Sequence, residues 1–269
     1  MIDTINFSFW TEDETKFRVT YKGTTYTGYF AACACVNRAI ESGINLTDAK
    51  CMKNITTKDV EEIFTGDDGQ IMPLCDLRAK AIAEAGRILL EQFDGSFYTC
   101  LKMCDRSAMK LLAIVVENFD SYRDYATFKG KKISFLKRAQ ILVADLHGCL
   151  HDKNDLGNFS DIADLTMFAD YRVPQILAFF SVLKYSPKLE ETLRSKVLLQ
   201  PGSETEVEIR AFSICDLVKR YEELRTKSDR KVPRLTAVLA DNLLWYRRRE
   251  IAQDIQKKVE YHRVRTIYY

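Results

Sequence analysis

Histidine is scarce: only His147, His151 and His262 occur in 269 residues, and none lies in a recognisable motif. Nucleophilic catalysis of the Ser/His/Asp or Cys/His kind needs a positioned imidazole and finds no support here. There is no Gly-Lys-Ser/Thr phosphate loop and no Gly-x-Gly-x-x-Gly after a strand. P-loop hydrolysis and dinucleotide chemistry therefore lack their usual machinery. Charge of one sign is also missing, since 40 basic and 38 acidic side chains leave a net charge of +2. That gives no footprint for gripping duplex nucleic acid. The longest apolar runs, Leu111 to Val116 and Ile176 to Phe180, fall far below the roughly 20 residues of a membrane-spanning helix. The start Met1-Ile-Asp-Thr-Ile-Asn has neither a basic nor an apolar leader region, so no signal peptide and no membrane partner are expected. With no Pro/Ser-rich linker and no repeat, a single domain over 1–269 is expected.

Forty-six per cent apolar and 29 per cent charged residues describe an ordinary soluble chain, long enough to bury a substantial core. Its eight cysteines are expected as free thiols in a reducing compartment, cytoplasm or nucleus. From Lys16 to Phe30, bulky and polar residues alternate on both sides of Lys22-Gly23, which predicts a β-hairpin. Helical signals follow at Ala31 to Ile40, at Lys58 to Phe64 capped by Thr57, and from Pro73 to about Phe93. Further helices are expected at Asp105–Asn118, Ser134–Leu150, Asp161–Phe168, Pro174–Lys184, Pro187–Leu198, Glu206–Lys227 and Pro233 to about Gln256. The fold class is mainly α, with a helical core over 31–256 and a small N-terminal hairpin.

Two i, i+4 pairs, Cys100/Cys104 and His147/His151, could in principle close a tetrahedral metal site. Neither has the short loop spacing of a zinc knuckle, and cysteine is often simply a small buried hydrophobe, so no metal is expected. Asp145 and Arg138 lie at the margin of the apolar stripe Phe135, Ala139, Leu142, Leu146; a structural salt bridge is the simpler expectation for them. Asp241 sits in the apolar helical context Leu239-Ala-Asp-Asn-Leu-Leu-Trp-Tyr, where a core pair with an arginine competes with contact to a purine-like donor. In Phe168-Ala-Asp170-Tyr-Arg-Val-Pro174, one carboxylate stands between an aromatic ring and a proline fitted to the first helical position. It is either a cap or a reagent.

Five blocks carry a resemblance: Asn6-Phe-Ser-Phe-Trp10, Asp120-Ser-Tyr-Arg-Asp124, Gly130-Lys-Lys-Ile-Ser-Phe-Leu-Lys-Arg-Ala-Gln-Ile-Leu-Val-Ala-Asp145, Leu165-Thr-Met-Phe-Ala-Asp-Tyr-Arg-Val-Pro-Gln175 and Glu206-Val-Glu-Ile-Arg210. Together they closely resemble the queuosine salvage protein family, the queuosine 5′-phosphate N-glycosylases, and the similarity runs on to the terminal His262-Arg-Val-Arg-Thr-Ile-Tyr-Tyr269. The resemblance implies a helical core similar to that of helix-hairpin-helix DNA glycosylases. It also implies cleavage by water of queuosine 5′-monophosphate into queuine and ribose 5-phosphate, for salvage into tRNA modification. It places the catalytic aspartate at Asp170 and base recognition at Phe168, Asp241 and the positions around it, with no cofactor. Where family members have tyrosine and a second aspartate, this chain has Asn242 and Tyr246, which are expected as altered contacts to the base. Members also begin with several dozen residues upstream of the Asn-Phe-Ser-Phe-Trp block, a segment expected to be absent here.

On this reading Asp170 stabilises or attacks the ribosyl cation, Phe168 stacks on the base and Asp241 accepts its N–H groups. The 5′-phosphate is assigned to Lys137, in a basic helix start at Lys131 to Arg138. The expected partner is this small nucleotide alone, bound by a monomer. The alternative is a catalytically weakened or inactive nucleotide-binding module of the same fold; a DNA glycosylase is a third reading, which the near-neutral charge opposes.

Overall fold

A computed structural model describes residues 1–13, 17–153, 155–214, 217–228 and 233–269. The fold is mainly α. The expected hairpin is there but short: β1 (Arg18–Tyr21) pairs antiparallel with β2 (Thr24–Thr27). Its outer end at Lys16 lies outside the described residues. Gly28, at φ +58, turns the chain out of β2, a conformation open to glycine at little cost. There α1 (Gly28–Glu41) starts, three residues before the apolar periodicity indicates.

Next come α2 (Ala49–Lys53), α3 (Thr57–Ile63) and α4 (Cys75–Gln92). Thr56, rather than Thr57, caps α3 through a capping box with Asp59. Helices α2 and α4 cross so closely at Gly86 that a Cβ there would lie 2.3 Å from the Lys53 nitrogen. After α5 (Phe97–Met103), α6 (Ala108–Asn118) is capped by Ser107 and not by Asp105, which is in the left-handed region. The carboxylate of distant Asp161 reinforces that cap, accepting from Ser107 Oγ at 2.6 Å and Ala108 N at 2.6 Å.

A second hairpin was hidden in the lysine-rich block. β3 (Tyr125–Phe128) pairs with β4 (Lys131–Ser134), and α7 (Lys137–Leu150) begins three residues after Ser134, the expected start of that helix. The basic residues Lys131 and Lys132 therefore lie on a strand, not on a helix start. Asp124 draws the chain past Ser134: its carbonyl accepts from Phe135 N at 3.0 Å and its Oδ2 from Lys137 N at 3.2 Å.

The stretch expected as helix at Asp161–Phe168 is only a 3-10 turn at Ile162–Asp164 followed by irregular chain. Side chains serve its backbone instead, with Gln140 Oε1 taking Thr166 N at 2.8 Å and Asp241 Oδ2 taking Phe168 N at 2.8 Å. Beyond it are α8 (Val173–Phe179), α9 (Pro187–Arg194), α10 (Glu204–Ser213), α11 (Leu217–Thr226), α12 (Ala237–Glu250) and α13 (Ala252–Lys258). Two long expected helices are thus each divided, and Pro174 takes a place just inside the first turn of α8, after Val173. No helix among the described residues is long and apolar enough to cross a membrane.

The centre of the molecule is built on the first few residues. Segment Thr4–Ser8 is buried between α4 and α7, and its carbonyls are taken by cations from the first turns of those helices. Arg78 donates to Ile5 O at 2.6 Å, Phe7 O at 2.7 Å and Ser8 O at 3.3 Å; Lys137 to Asn6 O at 3.0 Å; Arg138 to Thr4 O and Ser121 O. Burial lowers the Arg78 guanidinium to about 9. Buried carbonyls need donors, and multi-headed cations supply several at once. The C-terminal residues complete the arrangement, since Ser8 N donates to Tyr269 O at 2.9 Å and Ser8 Oγ to Thr266 O at 2.9 Å.

Candidate active site

A cavity of about 410 Å³ opens between the Asn6–Thr11 segment, α1, α7, the loop before α8, and α12. That volume suits a nucleotide-sized ligand. All six residues named from the sequence line it: Lys137, Phe168, Asp170, Asp241, Asn242 and Tyr246. Their roles differ in how firmly the fold holds them.

Asp170 both holds the start of α8 and lines the cavity. Its Oδ1 accepts from Arg172 N at 2.7 Å and Val173 N at 2.8 Å, so the carboxyl plane is set by the first turn of α8. Among the described residues nothing donates to Oδ2. The surrounding peptide is pinned as well: Asp170 N donates to Phe168 O at 2.8 Å, and Arg210 Nε donates to Ala169 O at 2.9 Å. Arg210 is itself locked by Asp124 at 2.6 and 3.0 Å, a bidentate pair almost wholly removed from solvent, with Glu206 at 3.5 Å. A network joining Asp124, just before β3, to α10 and the loop thereby fixes one carboxyl group.

Asp241 is 4% exposed, and its nearest charged neighbours are Asp170 and Lys137 rather than the arginine expected from sequence. Burial, and then the Asp170 carboxyl, push its pKa well above the ordinary carboxylate range. A protonated Asp241 can donate as well as accept toward a base edge. Lys137 donates its ammonium to Asn6 O at 3.0 Å and Asn6 Oδ1 at 3.1 Å; burial brings it down to about 8 while Asp170 works in the opposite direction. Asn242 and Tyr246 are exposed, and Tyr246 meets Trp245 edge-on at 5.2 Å.

Sequence reasoning put Trp245 one turn from Asp241 and Arg172 among the candidate charges, but missed what gathers around them. Tyr29, Phe30 and Trp245 form an aromatic wall, with Phe30 and Trp245 centroids 5.4 Å apart and Arg249 stacked over both. Arg172 and Arg248 meet at one acceptor, Gln175 Oε1, at 3.1 and 3.4 Å. Their helical positions carried the signal, because Asp241, Trp245 and Arg248 recur at i, i+4 and i+7. Behind the lining residue Asp145 stands buried Asp3, within hydrogen-bonding reach of it. The salt bridge expected for Asp145 and Arg138 does not form among the described residues, since Arg138 is spent on backbone carbonyls.

The metal candidates stay apart from this cavity. Cys100 and Cys104 are buried, His147 Nδ1 meets Gly157 O at 2.8 Å, and no three ligand-type residues converge among the described residues.

The family model of the queuosine salvage protein matches residues 1–269. The chain belongs to that family. A mouse (Mus musculus) protein named queuosine 5′-phosphate N-glycosylase/hydrolase is 47% identical over 100% of this chain and 80% of its own length. A protein of the same name from Sphaerobacter thermophilus is 42% identical over 100% of this chain and 80% of its own, and one from Schizosaccharomyces pombe is 33% identical over 100% and 81%. Membership in the queuosine salvage family extends over both hairpins, the cavity and the terminal segments alike.

Proposed function

We propose that the chain hydrolyses the N-glycosidic bond of queuosine 5′-monophosphate. The observation that carries this reading is the Asp170 carboxyl, fixed by two backbone amides in a nucleotide-sized cavity beside Phe168 and Asp241. As the bond from C1′ to the base nitrogen breaks, its electrons leave with the base and positive charge grows on the ribose. Asp170 meets that charge at once, because its orientation requires no reorganisation during the reaction. Water then bonds to C1′ and loses a proton, while the base nitrogen gains one; the products are queuine and ribose 5-phosphate. Phe168 covers the base, and Asp241, Asn242 and Tyr246 lie where its edges fall.

Lys137 faces the cavity as the phosphate assignment requires, but carboxyl groups surround it. Arg172 and Arg248, gathered at Gln175, offer a second anion subsite about 10 Å along α12 from Asp241. Alanine variants at Lys137 and Arg248 distinguish the two: the true phosphate contact raises KM for the nucleotide far more than for the unphosphorylated nucleoside. The primary test is release of queuine, detected by mass, when the purified chain is incubated with queuosine 5′-monophosphate. Absence of release at stoichiometric enzyme favours the non-catalytic module.

A further inference from the structure

A second carboxyl pair, of which Asp145 lines the cavity, has no part in breaking the bond. Helix α7 presents Lys137, Ile141, Asp145 and Cys149 to the cavity at four-residue intervals, so Asp145 lies about 12 Å along the axis from Lys137. Asp145 is open to the cavity, whereas Asp3 behind it is 6% exposed, and the buried Asp3 Oδ1 meets no donor among the described residues. Two acids side by side, one of them deeply buried, cannot both ionise without a cation nearby. Burial first, then Asp3, raises Asp145 to about 7; burial raises Asp3 as well.

The cations that reach the pair are shared with other groups or weakened by burial. Tyr29 and Cys33 on α1 are hydrogen-bonded to each other, and burial pushes both toward their neutral forms, with Cys33 at about 11. Asn6 bonds Asp3 but also receives Lys137. Lys137 stands between this pair and the pair Asp170/Asp241, one buried ammonium among four carboxyl groups. The amino group of Met1 reaches Asp3 and is lowered by burial.

We propose that Asp145, backed by Asp3, is the subsite for a ligand ammonium group, specifically the protonated secondary amine on the side arm of the queuine base. The proposal rests on the substrate reading above. A base covered by Phe168 beside Lys137, with a one-carbon arm, can bring such an amine to Asp145 within the length of α7 that lines the cavity. A charge-assisted hydrogen bond then replaces the proton shared by the two acids. The pair would thus select for the modified base over an uncharged 7-deazaguanine.

The test compares queuosine 5′-monophosphate with 7-cyano-7-deazaguanosine 5′-monophosphate, whose arm carries no amine. Asp145→Asn should reduce kcat/KM for the first about 10- to 100-fold, through KM, and cut the preference for the first over the second by at least tenfold. Equal losses on both nucleotides, or no loss on either, overturn the proposal. Binding of queuine and of 7-cyano-7-deazaguanine to the wild-type chain at pH 6 and pH 8 provides a readout independent of any variant. Queuine should bind more tightly at pH 8 and the cyano base equally at both; matching pH trends overturn it. If the wild type hydrolyses neither nucleotide yet binds queuine with this pH dependence, the hydrolase reading fails and the amine subsite stands.

Discussion

Asp170 and Asp145 face the same cavity, yet the fold treats them in opposite ways. Asp170 receives two backbone N–H groups and sits on a peptide held by Arg210, whereas Asp145 meets a second carboxyl group. The first arrangement holds an oxygen still where charge develops during a reaction. On the proposed reading the second holds a proton until a ligand ammonium takes its place. In the proposed function, chemistry and recognition draw on the same residue type, separated by what stands behind each side chain.

The comparison breaks most visibly at Asp170. Asp170→Asn keeps an oxygen for the Arg172 and Val173 amides, so the fold should survive while single-turnover queuine release drops about a thousandfold. Near-normal turnover would remove this residue from the chemistry. Arg210→Met tests the support rather than the group: it leaves Asp124 buried without its partner and should cost about 3–5 kcal/mol in urea unfolding. Turnover of the folded fraction should fall too, because the Ala169 carbonyl loses its donor.

A buried base should show the opposite sign of pH dependence to the buried acids. His262 is 1% exposed, with both ring nitrogens lacking partners among the described residues, and burial brings it down to about 3. Its contribution to stability is present above its unfolded value of 6.5 and is lost as pH falls toward 3. His262→Gln should therefore flatten the acid limb of stability, by about 2 kcal/mol between pH 6.5 and 5 in urea titrations. Asp145 should give the mirror image, and the smallest effect. Its folded value is raised from 3.8 to about 7, so the stability it contributes is complete below 3.8 and is lost as pH rises through about 7. Relative to wild type, Asp145→Asn should gain in Tm from pH 5 to pH 8, and a constant difference would show that the two acids do not interact.

Much of the site was legible because its residues are local. Phe168, Asp170 and Pro174 fall within seven residues, and Asp241, Trp245 and Arg248 share a helical face. The misread elements fail for one shared reason. Asp161–Phe168 has helical periodicity, but Gln140 and Asp241, both remote in sequence, satisfy part of its backbone in an irregular path. Ser134 suits a helix cap, but pairing with Tyr125 keeps it in a strand. Local propensity yields wherever distant partners offer better hydrogen bonds.

By itself the sequence determined a mainly helical chain, the hairpin at Lys22-Gly23, the family blocks and the carboxylate before α8, all of which depend on residues near one another. Only the tertiary structure decided that Arg78, Lys137 and Arg138 would hold the carbonyls of Thr4–Ser8, that Asp241 would lie beside Asp170 and Lys137, and that Asp3 would meet Asp145. Those pairings join positions more than 60 residues apart, and the electrostatics of a buried group depends on what surrounds it in space rather than along the chain.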